Sequence, residues 1–154
     1  MANDARSRNL PLLTDEEVEE RRPVFLAGIA QYNDGYFFEA HETWEELWLQ
    51  SPWPFRRFLQ GLIQIAAAFV HLVRHEYPGT IRLLDEALAK LEDASMVMGV
   101  DVKRLIAETR RARDELVELG LERFEQWDES RIPQIRFVTK HSTDVTLGDR
   151  PAGR

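Results

Sequence analysis

With 154 residues, no cysteine and a formal net charge of −7, the chain is sized for one domain that buries roughly two-thirds of its unfolded surface without a covalent staple. The absence of cysteine excludes disulfide frameworks and thiolate metal sites, and the acidic balance argues against general nucleic-acid binding, because phosphate backbones are repelled. Met1-Ala2-Asn3-Asp4-Ala5-Arg6 leads into no hydrophobic run, and the longest apolar stretch, Phe58 to Val73, is broken by Gln60, Gln64 and His71 and is shorter than the ~20 residues of a membrane span. The expected protein is cytoplasmic, with neither a membrane nor a nucleic acid as partner.

Helical spacing dominates from the start. Thr14 and Glu17 form a capping-box pattern that opens a short acidic helix to about Arg21. Pro23 suits a first helical turn, so a second helix is expected from there to Tyr32. Asn33-Asp34-Gly35 signals a turn, and the next helix is expected from about Tyr36 to Gln50. Ser51-Pro52-Trp53-Pro54 is a stiff link that favours an antiparallel partner, an apolar helix from about Phe55 to His75. After Tyr77-Pro78-Gly79, Ile81, Leu84, Leu88 and Leu91 mark an amphipathic helix over about Thr80 to Ala94. An apolar link, Met96 to Val100, precedes Asp101, the expected N-cap of a helix striped by Leu105, Thr109, Ala112, Leu116 and Leu119 and ended by Gly120. Ile132, Ile135, Phe137 and Val138 are expected to lie extended along the bundle. The class is all-α: a single-domain bundle of five main helices over 1–138, with a loose, irregular C-terminal tail over 139–154.

The informative segment is Tyr36-Phe37-Phe38-Glu39-Ala40-His41-Glu42-Thr43-Trp44-Glu45-Glu46-Leu47-Trp48. At about 100° per residue, Tyr36, Phe37, Ala40, Trp44, Leu47 and Trp48 share one apolar face. His41 and Glu45 lie at its edge, one turn apart, while Glu39, Glu42 and Glu46 point to solvent. On the following helix, Gln60, Gln64 and His71 form a narrow polar stripe on an otherwise oily surface, with Arg57 and His75 on the same side. Buried glutamines need partners, since an unmet amide costs on the order of 1–3 kcal/mol. If the two helices pack antiparallel about the Pro-rich link, His41 falls near Gln64 and Glu45 near Gln60. A His41–Glu45–Gln60–Gln64 cluster is therefore expected, with His71 further along the groove.

Such a cluster has two readings. As structure, it is a satisfied hydrogen-bond network that fixes helix register. As a site, His41 and Glu45 hold a divalent metal such as zinc, iron or manganese, or a small polar ligand, with Gln60 and Gln64 orienting it and Trp48 closing the pocket. His41-Glu42-Thr43-Trp44-Glu45 also approaches a zincin string with Glu42 as base, but its second histidine is replaced by glutamate. The remaining candidates read as structure. His75 suits a helix end, Arg56-Arg57 and Arg110 to Arg113 suit solvated faces, and Trp53 is expected to pack over the bundle end. Aromatic surface near Trp53 and Phe124 marks a candidate contact for a homo-oligomer.

Tyr32-Asn33-Asp34-Gly35 with the segment through Glu45, followed by Phe58-Leu59-Gln60-Gly61-Leu62-Ile63-Gln64-Ile65-Ala66-Ala67-Ala68, resembles the bacterial and archaeal domain of unknown function 309 family over about residues 23 to 90. That family carries a HxxxExx(W/Y) motif, here His41, Glu45 and Trp48. The resemblance implies a small helical bundle and a suggested metal-binding role for the motif, with no established activity. Gly35 to Ala40 also resembles the centre of a tetratricopeptide hairpin, which implies a partner-binding scaffold. No second copy follows at a 34-residue spacing, and stacked repeats need about three. The leading expectation is a metal- or small-ligand-binding helical protein. The alternative is a structural or protein-interaction module.

Overall fold

Capping chemistry starts the first helix where the sequence places it. In the computed structural model, which describes residues 11–94 and 96–139, the Glu17 amide donates to Thr14 Oγ1 at 3.1 Å and the Thr14 amide to Glu17 Oε1 at 2.9 Å. Helix α1 (Asp15–Glu20) is followed by α2 (Arg22–Asn33), with Pro23 in its first turn. Gly35, at φ 91°, turns the chain into α3 (Phe37–Trp48), and the Pro-rich link leads to α4 (Phe55–Val73) and α5 (Tyr77–Leu91). A small antiparallel hairpin, β1 (Met96–Val97) and β2 (Val100–Asp101), precedes α6 (Val102–Arg123). Asp101 caps α6 by accepting from the Arg104 amide at 3.2 Å, and Gly120 interrupts the helix at φ 76°, as its position suggests. The fold is all-α with five main helices, and no helix among the described residues is long and apolar enough to cross a membrane.

Helix α4 is central. It packs against α3 on one side and α5 on the other, with α2 covering α3 and α6 covering α5. Its small and branched residues, from Leu59 and Leu62 to Ala68 and Phe69, are almost wholly enclosed. Gly61 lets α5 approach, since a Cβ there would lie 2.7 Å from the Leu91 side chain.

Several boundaries differ from the sequence reading. Helix α5 begins at Tyr77 instead of Thr80, because Pro78 falls in the first turn, where no amide hydrogen is required. The preceding helix ends at Val73, and His75 adopts φ 62° in the connection. Tyr36 precedes α3 and is 59 % exposed, so it is not part of the apolar face. Trp53, expected over the bundle end, is 67 % exposed, whereas Phe124 is buried with its ring 5.3 Å from that of Tyr77. Phe124 therefore offers no exposed aromatic surface. Arg56 and Arg57, read as solvated, are half-buried.

After α6 the chain returns across the bundle. Tyr32 Oη donates to the Pro133 carbonyl at 2.7 Å, and the Asn33 side chain grips Ile135 from both sides, accepting from its amide at 2.8 Å and donating to its carbonyl at 2.9 Å. Ile135 is buried, and Phe137 bridges to Val100, so the expected extended course is observed. Thr139 is the last described residue of the expected tail, and the rest of it lies outside the described residues.

The returning segment also organises a charge cluster. The Arg131 guanidinium donates to both Glu115 oxygens, at 2.8 and 2.6 Å, and the Trp127 indole donates at 2.9 Å. Led by the Arg131 bond, these donors hold the Glu115 carboxyl at about 2, against the opposing effect of partial desolvation. Because the folded value lies below the ordinary carboxylate value, the cluster's stabilisation is complete above that ordinary value and is lost as pH falls toward 2. Glu115→Gln should therefore lower the melting temperature at pH 7, and the gap from the parent should shrink between pH 5 and pH 2. A gap independent of pH would show that the carboxylate charge contributes nothing.

Candidate functional site

Helix α3 is oriented by its inward residues. Ala40, Trp44, Leu47 and Trp48 are buried, which leaves His41 and Glu45 half-buried at the margin and Glu39, Glu42 and Glu46 outside. The Trp44 indole donates to the Phe25 carbonyl at 3.2 Å, locking the helix rotation against α2. Thr43 adds a second tie, donating to the Gln31 side chain at 2.8 Å.

That rotation gathers one group of donors. His41, Glu42 and Glu45 each present a ligand atom, and these atoms all lie within 4.8 Å of one another. The His41 ring stacks on Phe38, with centroids 6.0 Å apart and planes 20° apart. Its Nδ1 is shielded from solvent and has no hydrogen-bond partner, the Glu42 carboxylate standing 4.0 Å away. Glu45 is already engaged within the fold, so a bound cation would share it with, or take it from, a protein partner. Trp48 is buried one turn beyond Glu45, with the Arg56 guanidinium 4.0 Å above its ring.

The polar stripe of α4 goes elsewhere. Gln64 donates to Glu86 at 3.1 Å and accepts from Lys90 Nζ at 3.3 Å, both on α5. Arg57 donates to the Ala89 carbonyl at 2.8 Å. His71 Nδ1 lies 2.5 Å from Glu76, and its ring covers Gly79, where a Cβ would come within 2.8 Å. The Gln64 amide is therefore bonded to α5, whereas the sequence reading placed it beside His41. His71 likewise bonds at the α4–α5 connection. Gln60 keeps a buried amide oxygen without a partner.

One member of the donor group, Glu42, reads from the sequence as a solvated residue or the base of a zincin string, and not as a ligand. Glu42 is 60 % exposed, as a helical wheel predicts, yet its long side chain brings a carboxylate back to the His41–Glu45 edge. The signal was the adjacency of His41 and Glu42, which a projection of Cα directions alone discounts.

A family model described as "Domain of unknown function (DUF309)" matches residues 25–83, which run from within α2 to within α5 and include all three donors. No curated protein and no solved structure matches the chain.

Proposed function

We propose that this chain, which belongs to the domain of unknown function family DUF309 through residues 25–83, binds a divalent cation at the motif helix. The observation that carries the reading is the convergence of His41, Glu42 and Glu45 within 4.8 Å. One imidazole nitrogen and two carboxylates suit zinc, iron or manganese, and three protein donors leave positions for water or a small ligand. The unpartnered Nδ1 of His41 fits this role, since a shielded polar atom without a partner costs on the order of 1–3 kcal/mol that a ligand would offset. His41 and Glu45 are the principal ligands and Glu42 the third, while Trp48 and Arg56 wall the site beyond Glu45. The donor set supports binding and specifies no reaction.

The test uses protein purified without an affinity tag, with metal analysis and melting curves in zinc, iron or manganese. At a hundredfold excess over Kd, linkage gives about 2.7 kcal/mol, a rise of roughly 5–10 °C for a chain of this size. His41→Ala should abolish the rise. Absence of both bound metal and any shift with all three ions would overturn the proposal.

A structural reading is favoured for the other half of the expected site. The bonds of Gln64 to Glu86 and Lys90 join α4 to α5, and that of His71 to Glu76 ties α4 to the connection between them. Gln64→Ala should accordingly lower stability without changing the metal response.

A further inference from the structure

We propose a second site, for a monocarboxylate carried on a small apolar body, where the first turn of α4 meets the end of α5 and the β hairpin. A cavity of about 390 Å³ lies there, within the span typical of small-ligand pockets, roughly 300–1,000 Å³. Its apolar walls are Phe55, Phe58, Met96 and Val97, and its cations are Arg57 and Lys90. Phe55 and Phe58 stack on each other and both touch Phe25, so this wall is held by the core.

The two cations set the chemistry of the occupant. Among the described residues, the other half-buried basic side chains have an anionic or aromatic partner. Arg22 pairs with Glu19, Arg111 with Glu115 and Arg113 with Asp85, and Arg56 lies over Trp48. Arg57 and Lys90 instead meet neutral groups, the Ala89 carbonyl and the Gln64 amide oxygen. The Arg57 Nε–H is shielded and has no acceptor. One acid, Asp93, shares the cavity, so the lining carries a net positive charge of one. That balance matches a carboxylate monoanion and leaves the second charge of a phosphate dianion uncompensated. A guanidinium fork and an ammonium suit a planar two-oxygen anion. The walls then take the apolar remainder of the molecule. The same structure gives Gln64 a role, since its amide, braced by Glu86, positions the Lys90 ammonium. This site is separate from the His41 group and does not depend on a metal.

Octanoate is the probe, with octanol as the uncharged control and inorganic phosphate as the control without a tail. Titration of the whole chain, followed by amide chemical shifts, should show saturable octanoate binding centred on Phe58, Ala94 and Val97. Octanol should bind at least tenfold more weakly and phosphate should not compete. Lys90→Met and Arg57→Gln should each weaken octanoate about tenfold, the loss of one charge-assisted hydrogen bond. Arg57 also ties α4 to α5, so Lys90→Met stands as the arm that leaves that tie intact. Equal affinity for octanoate and octanol would overturn the site, as would shifts centred elsewhere, unchanged affinity in Lys90→Met, or no binding at millimolar octanoate.

Discussion

Gly28→Ala should destabilise the protein by about 3 kcal/mol, at the upper end of typical overpacking costs. In a Trp44→Leu background the same change should cost close to nothing. A Cβ on Gly28 would fall 2.2 Å from Trp44 Nε1 and 2.6 Å from two ring carbons. The clash is with a rigid, wholly buried indole that is tied to the Phe25 carbonyl, so neither side can give way cheaply. A leucine relieves most of that clash, and the roughly 1 kcal/mol by which alanine exceeds glycine as a helix former offsets the crowding that remains. Denaturant unfolding of the four proteins in the cycle measures the coupling, which should lie near the top of the ~0.5–3 kcal/mol seen for contacting residues. Additive costs would mean that α2 and α3 relax apart and that the indole does not fix their spacing. The test reaches the candidate site as well, because Trp44 sets the rotation that brings His41 and Glu45 to the helix margin. Any zinc response should weaken in Gly28→Ala protein even where it remains folded.

Asn33→Ala should cost about 2–4 kcal/mol, from two partly buried backbone groups that each lose a partner at ~1–2 kcal/mol. One side chain accepts from the Ile135 amide and donates to its carbonyl, supplying what a neighbouring strand would. Without it, the returning segment keeps the Tyr32–Pro133 bond and the pairing of Val100 with Phe137. Hydrogen exchange at the Ile135 amide should accelerate far more than exchange within α4. Asn33→Asp separates the two bonds, retaining the acceptor and losing the donor. Equal protection of Ile135 in the parent and Asn33→Ala proteins would show that the anchoring lies elsewhere.

What the sequence disclosed follows the range of each interaction. The Thr14–Glu17 box, the Asp101 cap and the Gly120 break are complete within four residues, so their residue types sufficed to place them. The buried face of α3 was readable for the same reason, apart from Tyr36, which lies just outside the helix. Long-range partners were not readable from one helix alone. Helix α4 has two neighbours, and reflecting its polar stripe about the Pro-rich link selected α3. Reflection about His75 pairs Gln64 with Glu86, each eleven residues away, and that is the contact formed. Both registers satisfy the requirement that a buried amide find a partner. The choice rests on helix rotation, which Gly61 against Leu91 and Gly28 against Trp44 determine through close packing. Of the expected site, the His41–Glu45 edge was legible because helical periodicity alone places it. The Glu42 carboxylate was not, since its approach depends on side-chain reach.

The bond from Tyr32 to Pro133 joins residues 101 apart in the chain. During synthesis at ~5–20 residues per second, Tyr32 therefore waits roughly 5–20 s for its partner to be made. Over that interval the phenol and the adjacent Asn33 must remain hydrated or find temporary acceptors, although α2 and α3 can already pair. A contact this distant adds little to early collapse and closes late, after the loop entropy between its ends has been overcome. The nascent helices thus pass through a stage in which the motif helix is built but the seam along Tyr32 and Asn33 is open. A ribosome stalled before Pro133 would display that intermediate directly.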